Sequence, residues 1–190
     1  KNLKTTYAKG KERKTEIRIF DNVDVKKVVV KNSKLYVNRD EGFIGTSLRK
    51  DEFVEECSDI DDVIVFTQKG DMIVSRVESK KFIAKNILFA SVFKKKDSRT
   101  IYNMIYKDGK TGISYIKRFN VTGVTRDKLY NLTSQHPKSK VLHFSANPNG
   151  EGEVVTIQLR QNTSLKKLKW DLDFADLAIK GRSVKGNIVS

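Results

Sequence analysis

Residues 61–77 read DDVIVFTQKGDMIVSRV. Two β-branched and aromatic runs, Val63-Ile64-Val65-Phe66 and Ile73-Val74, flank Lys69-Gly70. Such side chains fit a pleated sheet, and a glycine between two runs supplies the positive φ of a tight hairpin turn. The pattern recurs in VVVKNSKLYV around Asn32-Ser33, MIYKDGKTGISYI around Asp108-Gly109, and FSANPNGEGEVVTIQL around Asn149-Gly150. Ser33, Gly70, Gly109 and Gly150 therefore mark four turns at nearly equal intervals. A second apolar or glycine-rich element follows most hairpins: Gly42-Phe43-Ile44-Gly45, Phe82-Ile83-Ala84-Lys85, Val121-Thr122-Gly123-Val124, and residues 181–186.

Further strands are expected at Val28-Val29-Val30 and at residues 101–106, 113–119, 141–144, 154–159 and 188–189. Helical signal is thin, with one turn each possible at residues 51–56 and 165–170. A period of roughly 40 residues, with four short strands per unit, is the spacing of propeller blades. A plain meander or sandwich with accidental spacing is the alternative. The expected fold is therefore all-β: a propeller-like array of four-stranded blades, with about four blades in this chain. Residues 1–25 read as a segment leading in from an upstream domain. Residues 26–190 read as the repeat domain, cut at its C-terminal end inside a strand.

The charge narrows the function classes. The 190 residues carry a net charge of +15, so a polyanion is the first partner to consider. Residues 51–100 are net −1, whereas residues 1–50 are net +8 and 101–150 net +6. The acid is concentrated in Asp51, Glu52, Glu55, Glu56, Asp59, Asp61 and Asp62. Such a run reads as a solvated loop. Cys57 is the single cysteine, which excludes an internal disulfide and a cysteine-based zinc site. Its acidic neighbours disfavour a thiolate, so it is not read as a nucleophile. His136 and His143 are the only histidines, too few for a histidine-rich metal site. Residues 180–186, KGRSVKG, do not match a P-loop. No apolar run approaches the roughly 20 residues of a membrane span. Residues 1–14 are basic and polar, unlike a signal peptide.

Four stretches carry a resemblance: residues 61–77, residues 115–127 (YIKRFNVTGVTRD), residues 146–153 (ANPNGEGE), and residues 179–189 (IKGRSVKGNIV). In this order they resemble the C-terminal domain of the A-subunit of bacterial type IIA topoisomerases, DNA gyrase and topoisomerase IV. Residues 7–17 (YAKGKERKTEI) are similar to the segment that enters that domain. The resemblance implies a β-pinwheel, whose blades exchange strands with their neighbours and whose basic rim bends DNA. The implied partners are duplex DNA, the ATPase B-subunit, and the rest of the A-subunit. No membrane is implied, and the location is cytoplasmic and nucleoid-associated. ATP and magnesium are implied only for the rest of that enzyme, and no cofactor for this segment. The segment itself reads as non-catalytic, because none of its tyrosines sits in the family's breakage-reunion motif. Gyrase carries a box Gln-Arg-Arg-Gly-Gly-Lys-Gly, of which Lys180-Gly181-Arg182-Ser183-Val184-Lys185-Gly186 keeps only Arg182, Lys185 and Gly186. That departure favours a topoisomerase IV-like protein.

The candidate DNA contacts are Lys94, Lys95, Lys96 and Arg99, Lys117 and Arg118, Arg126 and Lys128, Lys138 and Lys140, and Lys180, Arg182 and Lys185. Spaced cations can hold a phosphate backbone without reading bases. Any one of them is, more plainly, a solvated surface charge. In residues 113–119, alternation puts Tyr115 and Phe119 on one face and Arg118 on the other. The aromatics read as core rather than as stacking platforms for single strands. The rival function is a propeller that serves as a protein-interaction platform without DNA wrapping.

Overall fold

The computed structural model describes residues 31–160 and 168–189. All belong to the second of two compact units, Lys31–Ser190. The expected lead-in segment, the Val28-Val29-Val30 strand and residues 165–167 of the expected turn at 165–170 lie outside the described residues.

Three sheets share one construction. The first holds β1 (Ser33–Asn38), β2 (Phe43–Gly45), β3 (Glu52–Cys57) and β6 (Lys81–Phe82), in the order β3-β1-β2-β6. The second holds β4 (Asp62–Thr67), β5 (Asp71–Arg76), β7 (Ile87–Phe93) and β10 (Tyr130–Asn131), in the order β7-β4-β5-β10. The third holds β8 (Ile101–Lys107), β9 (Ser114–Asn120), β11 (Lys140–Asn147), β14 (Ile179–Gly181) and β15 (Asn187–Ile188). Its order is β11-β8-β9-β14, with β15 also on β9. Each sheet is thus a hairpin, a long strand returning along its first member, and a short strand donated by the next repeat along its second. This exchange of strands is the β-pinwheel arrangement. The fourth sheet, β12 (Val154–Gln158) with β13 (Lys169–Asp173), is a hairpin alone among the described residues.

Burial explains why the decisive run is continuously apolar. Val63 and Val65 enter a core with Leu35, Val37 and Ile44. Ile64 and Phe66, on the other face of β4, join Tyr102, Met104, Tyr106 and Phe119. The second sheet is covered on both faces, so alternate residues serve two different cores. A third cluster, Ile105, Ile116 and Phe174, packs with Val155, Ile157 and Leu172 between the third and fourth sheets.

The donated strands are locked at hairpin tips in the same way twice. Ile83 donates its N–H to the Gly42 carbonyl and Leu132 to the Gly70 carbonyl, each at 2.8 Å. Both glycines have positive φ, +83° and +84°.

Several expectations are corrected. The first hairpin turns at Gly42, between β1 and β2, so Ser33 is a strand residue rather than the turn, and residues 42–45 are not a following element. Between β8 and β9 the positive φ belongs to Gly112, not Gly109. Gly109 instead permits close approach, since a Cβ there would lie 2.5 Å from the His136 ring and the Ser139 backbone. Gly150 does have a positive φ, but it joins two sheets rather than paired strands. The four hairpins begin at Ser33, Asp62, Ile101 and Val154, so the repeats lengthen along the chain instead of keeping one period. Residues 51–56 form no helical turn, and Trp170 lies in β13. Much of the acidic run is not a solvated loop. Glu52, Glu55 and Glu56 lie in β3; Glu52 pairs with Arg39 at 2.6 Å, and Glu55 accepts the Val92 N–H at 2.5 Å. A strand tolerates Glu52 and Glu55 because each finds a donor on a neighbouring element.

Candidate nucleic-acid interface

Two of the expected contacts are inside the protein. Lys117 is 4% exposed and Arg118 is 8% exposed. The Lys117 ammonium donates to the carbonyls of Leu132, Arg182 and Val184 at 2.6, 2.8 and 3.2 Å. Burial pushes its pKa down to about 8. Arg118 is on the opposite face of β9, as alternation required, but that face is covered by Phe174 and the fourth sheet. Its guanidinium donates to the carbonyls of Gly150 and Phe174. Both side chains bind backbone carbonyls of later segments, Arg182 and Val184 for Lys117 and Phe174 for Arg118 being in the next repeat. Their charge is spent inside the fold, and neither belongs to a surface for phosphate.

Six of the other candidates gather around residues 121–130. The turn after β7 presents Lys94, Lys95 and Lys96, all exposed. Lys96 adopts φ +64° and donates its N–H to the Thr122 carbonyl at 3.1 Å. Asp97 closes this turn by accepting from the Arg99 N–H at 2.9 Å and the Thr100 hydroxyl at 2.8 Å. Those bonds, the Arg99 N–H foremost, hold its carboxyl below the usual range. Lys95 and Arg126 line one cleft with Asp62, Val74, Phe93 and Val124. Arg126 donates to Asp62 at 2.8 Å. Lys128 lies 5.5 Å from the Tyr130 ring centroid, and the Arg182 guanidinium lies 4.4 Å from it. Arg182 also donates to the Gly123 carbonyl at 2.6 Å.

A second group sits at the tip of the β8–β9 hairpin. Lys140 opposes Lys107 across the β11–β8 pair. Lys138 lies against Gly109. The Lys185 ammonium stands 4.4 Å from the Tyr115 ring centroid, and its pKa is raised, chiefly by a hydrogen bond to Tyr115. The carboxylate at this tip is Asp108. It accepts from the Ser134 hydroxyl at 2.5 Å, the Thr111 hydroxyl at 2.8 Å and the Lys110 N–H at 3.0 Å, and is held far below the usual range. Arg99, with its side chain 79% exposed, has its Nε 4.0 Å from Asp97 beside the first group, and Lys180, exposed on β14, stands outside both groups.

Sequence alone does not single out Tyr130 as part of a binding surface. Its neighbour Lys128 is local, but Arg182 belongs to a later repeat, and only the strand exchange brings it there. Cys57 is buried, and burial first, then Asp61 and Glu55, pushes its thiol pKa up. Among the described residues, no group of three or more His, Cys, Asp or Glu is placed to hold a metal ion. No helix among them is long and apolar enough to cross a membrane.

The family described as "Topoisomerase C-terminal domain, Bacteroidota" matches residues 34–190. The A-subunit of DNA topoisomerase 4 from Borreliella burgdorferi (strain ATCC 35210 / DSM 4680 / CIP 102532 / B31) is 33% identical over 147 residues, 77% of this chain. The chain spans 23% of that relative's length. No solved structure matches it.

Proposed function

This chain belongs to the Bacteroidota topoisomerase C-terminal domain family, and on that premise we propose that it binds duplex DNA of any sequence and bends it for the rest of a type IIA topoisomerase. The observation that carries the reading is the cluster around residues 121–130. The segments after β7, β9 and β14 each send cations to it: Lys94, Lys95 and Lys96, then Arg126 and Lys128, then Arg182. Successive repeats contributing to one basic surface is what a polyanion tracking along the molecule requires. DNA presents one phosphate charge per roughly 1.7 Å, and pairing it with lysine or arginine releases counterions. Contacts of this kind position the backbone and carry no base sequence.

Bending is the more demanding part. Curving 20–30 base pairs by 40–90° costs on the order of 1–6 kcal/mol. One cation does not offset that, whereas several in succession do. The partners of the domain in this reading are duplex DNA, the ATPase B-subunit, and the remainder of the topoisomerase A-subunit. The reaction itself belongs to those other parts.

Energy transfer between dyes at the two ends of a 30-base-pair duplex tests the bend. Formation of the complex, followed separately by anisotropy, should shorten the end-to-end distance for duplexes of unrelated sequence. A saturated complex with the distance of free DNA would overturn the bending reading.

A further inference from the structure

Arg182 is held at both its main chain and its side chain. Its carbonyl accepts from the buried Lys117 ammonium at 2.8 Å. Its guanidinium donates to the Gly123 carbonyl at 2.6 Å and lies 4.4 Å from the Tyr130 ring centroid. Tyr130 is itself fixed: it belongs to β10, opposite Met72, and its hydroxyl oxygen accepts the Thr125 N–H at 2.9 Å. The contact joins two donated elements, because β10 is supplied to the second sheet and residues 179–188 to the third. A guanidinium has five N–H donors in a planar fork, and stacking engages its face rather than its edge. One Nη1–H is used on Gly123, which leaves other donors for a phosphate.

We propose that Tyr130 is a positioning residue for DNA: it sets the plane of the Arg182 guanidinium so that its remaining N–H donors meet a backbone phosphate, while Lys117 fixes the main chain beneath. The proposal rests on the duplex-binding reading. An arginine ordered before the encounter loses less freedom on binding than one ordered by it. The ring, not the tyrosine hydroxyl, performs this task. Tyr130 therefore acts through Arg182, and its contribution to binding vanishes when Arg182 is absent.

The test is duplex affinity at one fixed salt concentration for the 190-residue chain and its Tyr130→Phe, Tyr130→Leu, Arg182→Ala and doubly substituted Tyr130→Leu/Arg182→Ala variants. Thermal melting of each confirms that it is folded. Tyr130→Phe should bind like the wild type, and Tyr130→Leu about two- to fivefold more weakly, the range set by an exposed cation–π contact. The double variant should bind no more weakly than Arg182→Ala alone. Wild-type affinity in Tyr130→Leu, or losses that multiply in the double variant, would overturn the positioning role and leave the duplex reading standing. Absence of any wild-type binding would overturn both. Arg182→Lys covers the case in which leucine at 130 prevents folding. It keeps the charge without the planar fork, so it should bind more weakly than the wild type but less weakly than Arg182→Ala, and wild-type binding by it would sink the proposal.

Discussion

Lys117 places an ammonium where its partners are three backbone carbonyls, and the consequence is a pH dependence of stability. Its folded pKa, about 8, lies below the roughly 10.4 of a solvated lysine. Between those values the unfolded chain binds more protons than the folded one, so this group makes stability rise with pH. Burial raises Tyr106 to about 12 and raises Tyr102 also, so both keep a proton that the unfolded chain loses above about 10, and they act oppositely there. The window is pH 8–10; Cys57, its thiol pushed up by burial, also acts oppositely there, but it is common to the two proteins compared and cancels in their difference. Urea unfolding of wild type and Lys117→Met across it should show the wild type gaining on the variant, by at most about 1.4 kcal/mol per pH unit. Loss of three carbonyl partners lowers the variant's baseline without changing that slope. A difference flat across the window would contradict the desolvation of Lys117. Nothing local in YIKRF distinguishes this lysine from a surface one. It shares the face of Tyr115 and Phe119, and whether that face meets water is decided by residues 132, 182 and 184.

Glycine gives a second residue-scale comparison. Gly42 and Gly112 both have positive φ, +83° and +74°. A Cβ at Gly42 would lie 2.2 Å from the Ala84 carbonyl oxygen, whereas at Gly112 the nearest neighbour is 4.0 Å away. Gly112→Ala should therefore cost only the left-handed backbone strain, about 1–2 kcal/mol. Gly42→Ala should cost clearly more, because the donated segment must also move. Equal shifts in urea midpoint would mean that residues 83–85 are not seated as described.

Among elements, the fourth sheet stands apart. β12 and β13 pair only with each other among the described residues, and Val154 is 63% exposed. An isolated hairpin is marginal in water, so this one depends on packing against the third sheet. Phe174, fully buried with Ile105 and Ile116, supplies much of that packing. Glu153 adds a polar tie: His143 Nε2 lies 2.9 Å from its carboxylate, and Asn103 and Ser145 donate to it. Hydrogen exchange should find β12–β13 less protected than β4–β5. Phe174→Ala should cost about 3–5 kcal/mol and open β12–β13 selectively. Uniform protection in that variant would contradict the dependence. The strands themselves were largely legible, because β-branched runs and turn glycines are local signals. The pairing was not. Asn149-Gly150 has the chemistry of a hairpin turn and turns the chain, but it connects sheets. The spacing between hairpins grows along the chain because only strand order, not loop length, is fixed by the construction.

For the whole molecule, strand exchange is what turns scattered charges into a surface. Arg126, Lys128 and Arg182 come together because each repeat lays its post-hairpin segment against the sheet before it. The acids within that surface are engaged, Asp62 by Arg126, Asp97 by the Thr100 hydroxyl and Asp127 by Lys81, whereas β3, on the edge of the first sheet, bears exposed Glu52 and Glu56. A phosphate path is therefore expected over residues 94–96 and 121–130 rather than across the first sheet. The basic composition pointed to a polyanion, but it did not separate Lys117 and Arg118, which are consumed internally, from the cations that face water. The measurement that bears most directly on duplex binding is the salt dependence of affinity, taken for the wild type and for a variant with Lys95, Arg126, Lys128 and Arg182 all changed to alanine. If about six phosphates are engaged, the wild-type log–log slope should be near −5, and the fourfold variant should flatten it by about three to four. A wild-type slope near zero, or a variant slope equal to that of the wild type, would contradict duplex binding by this surface.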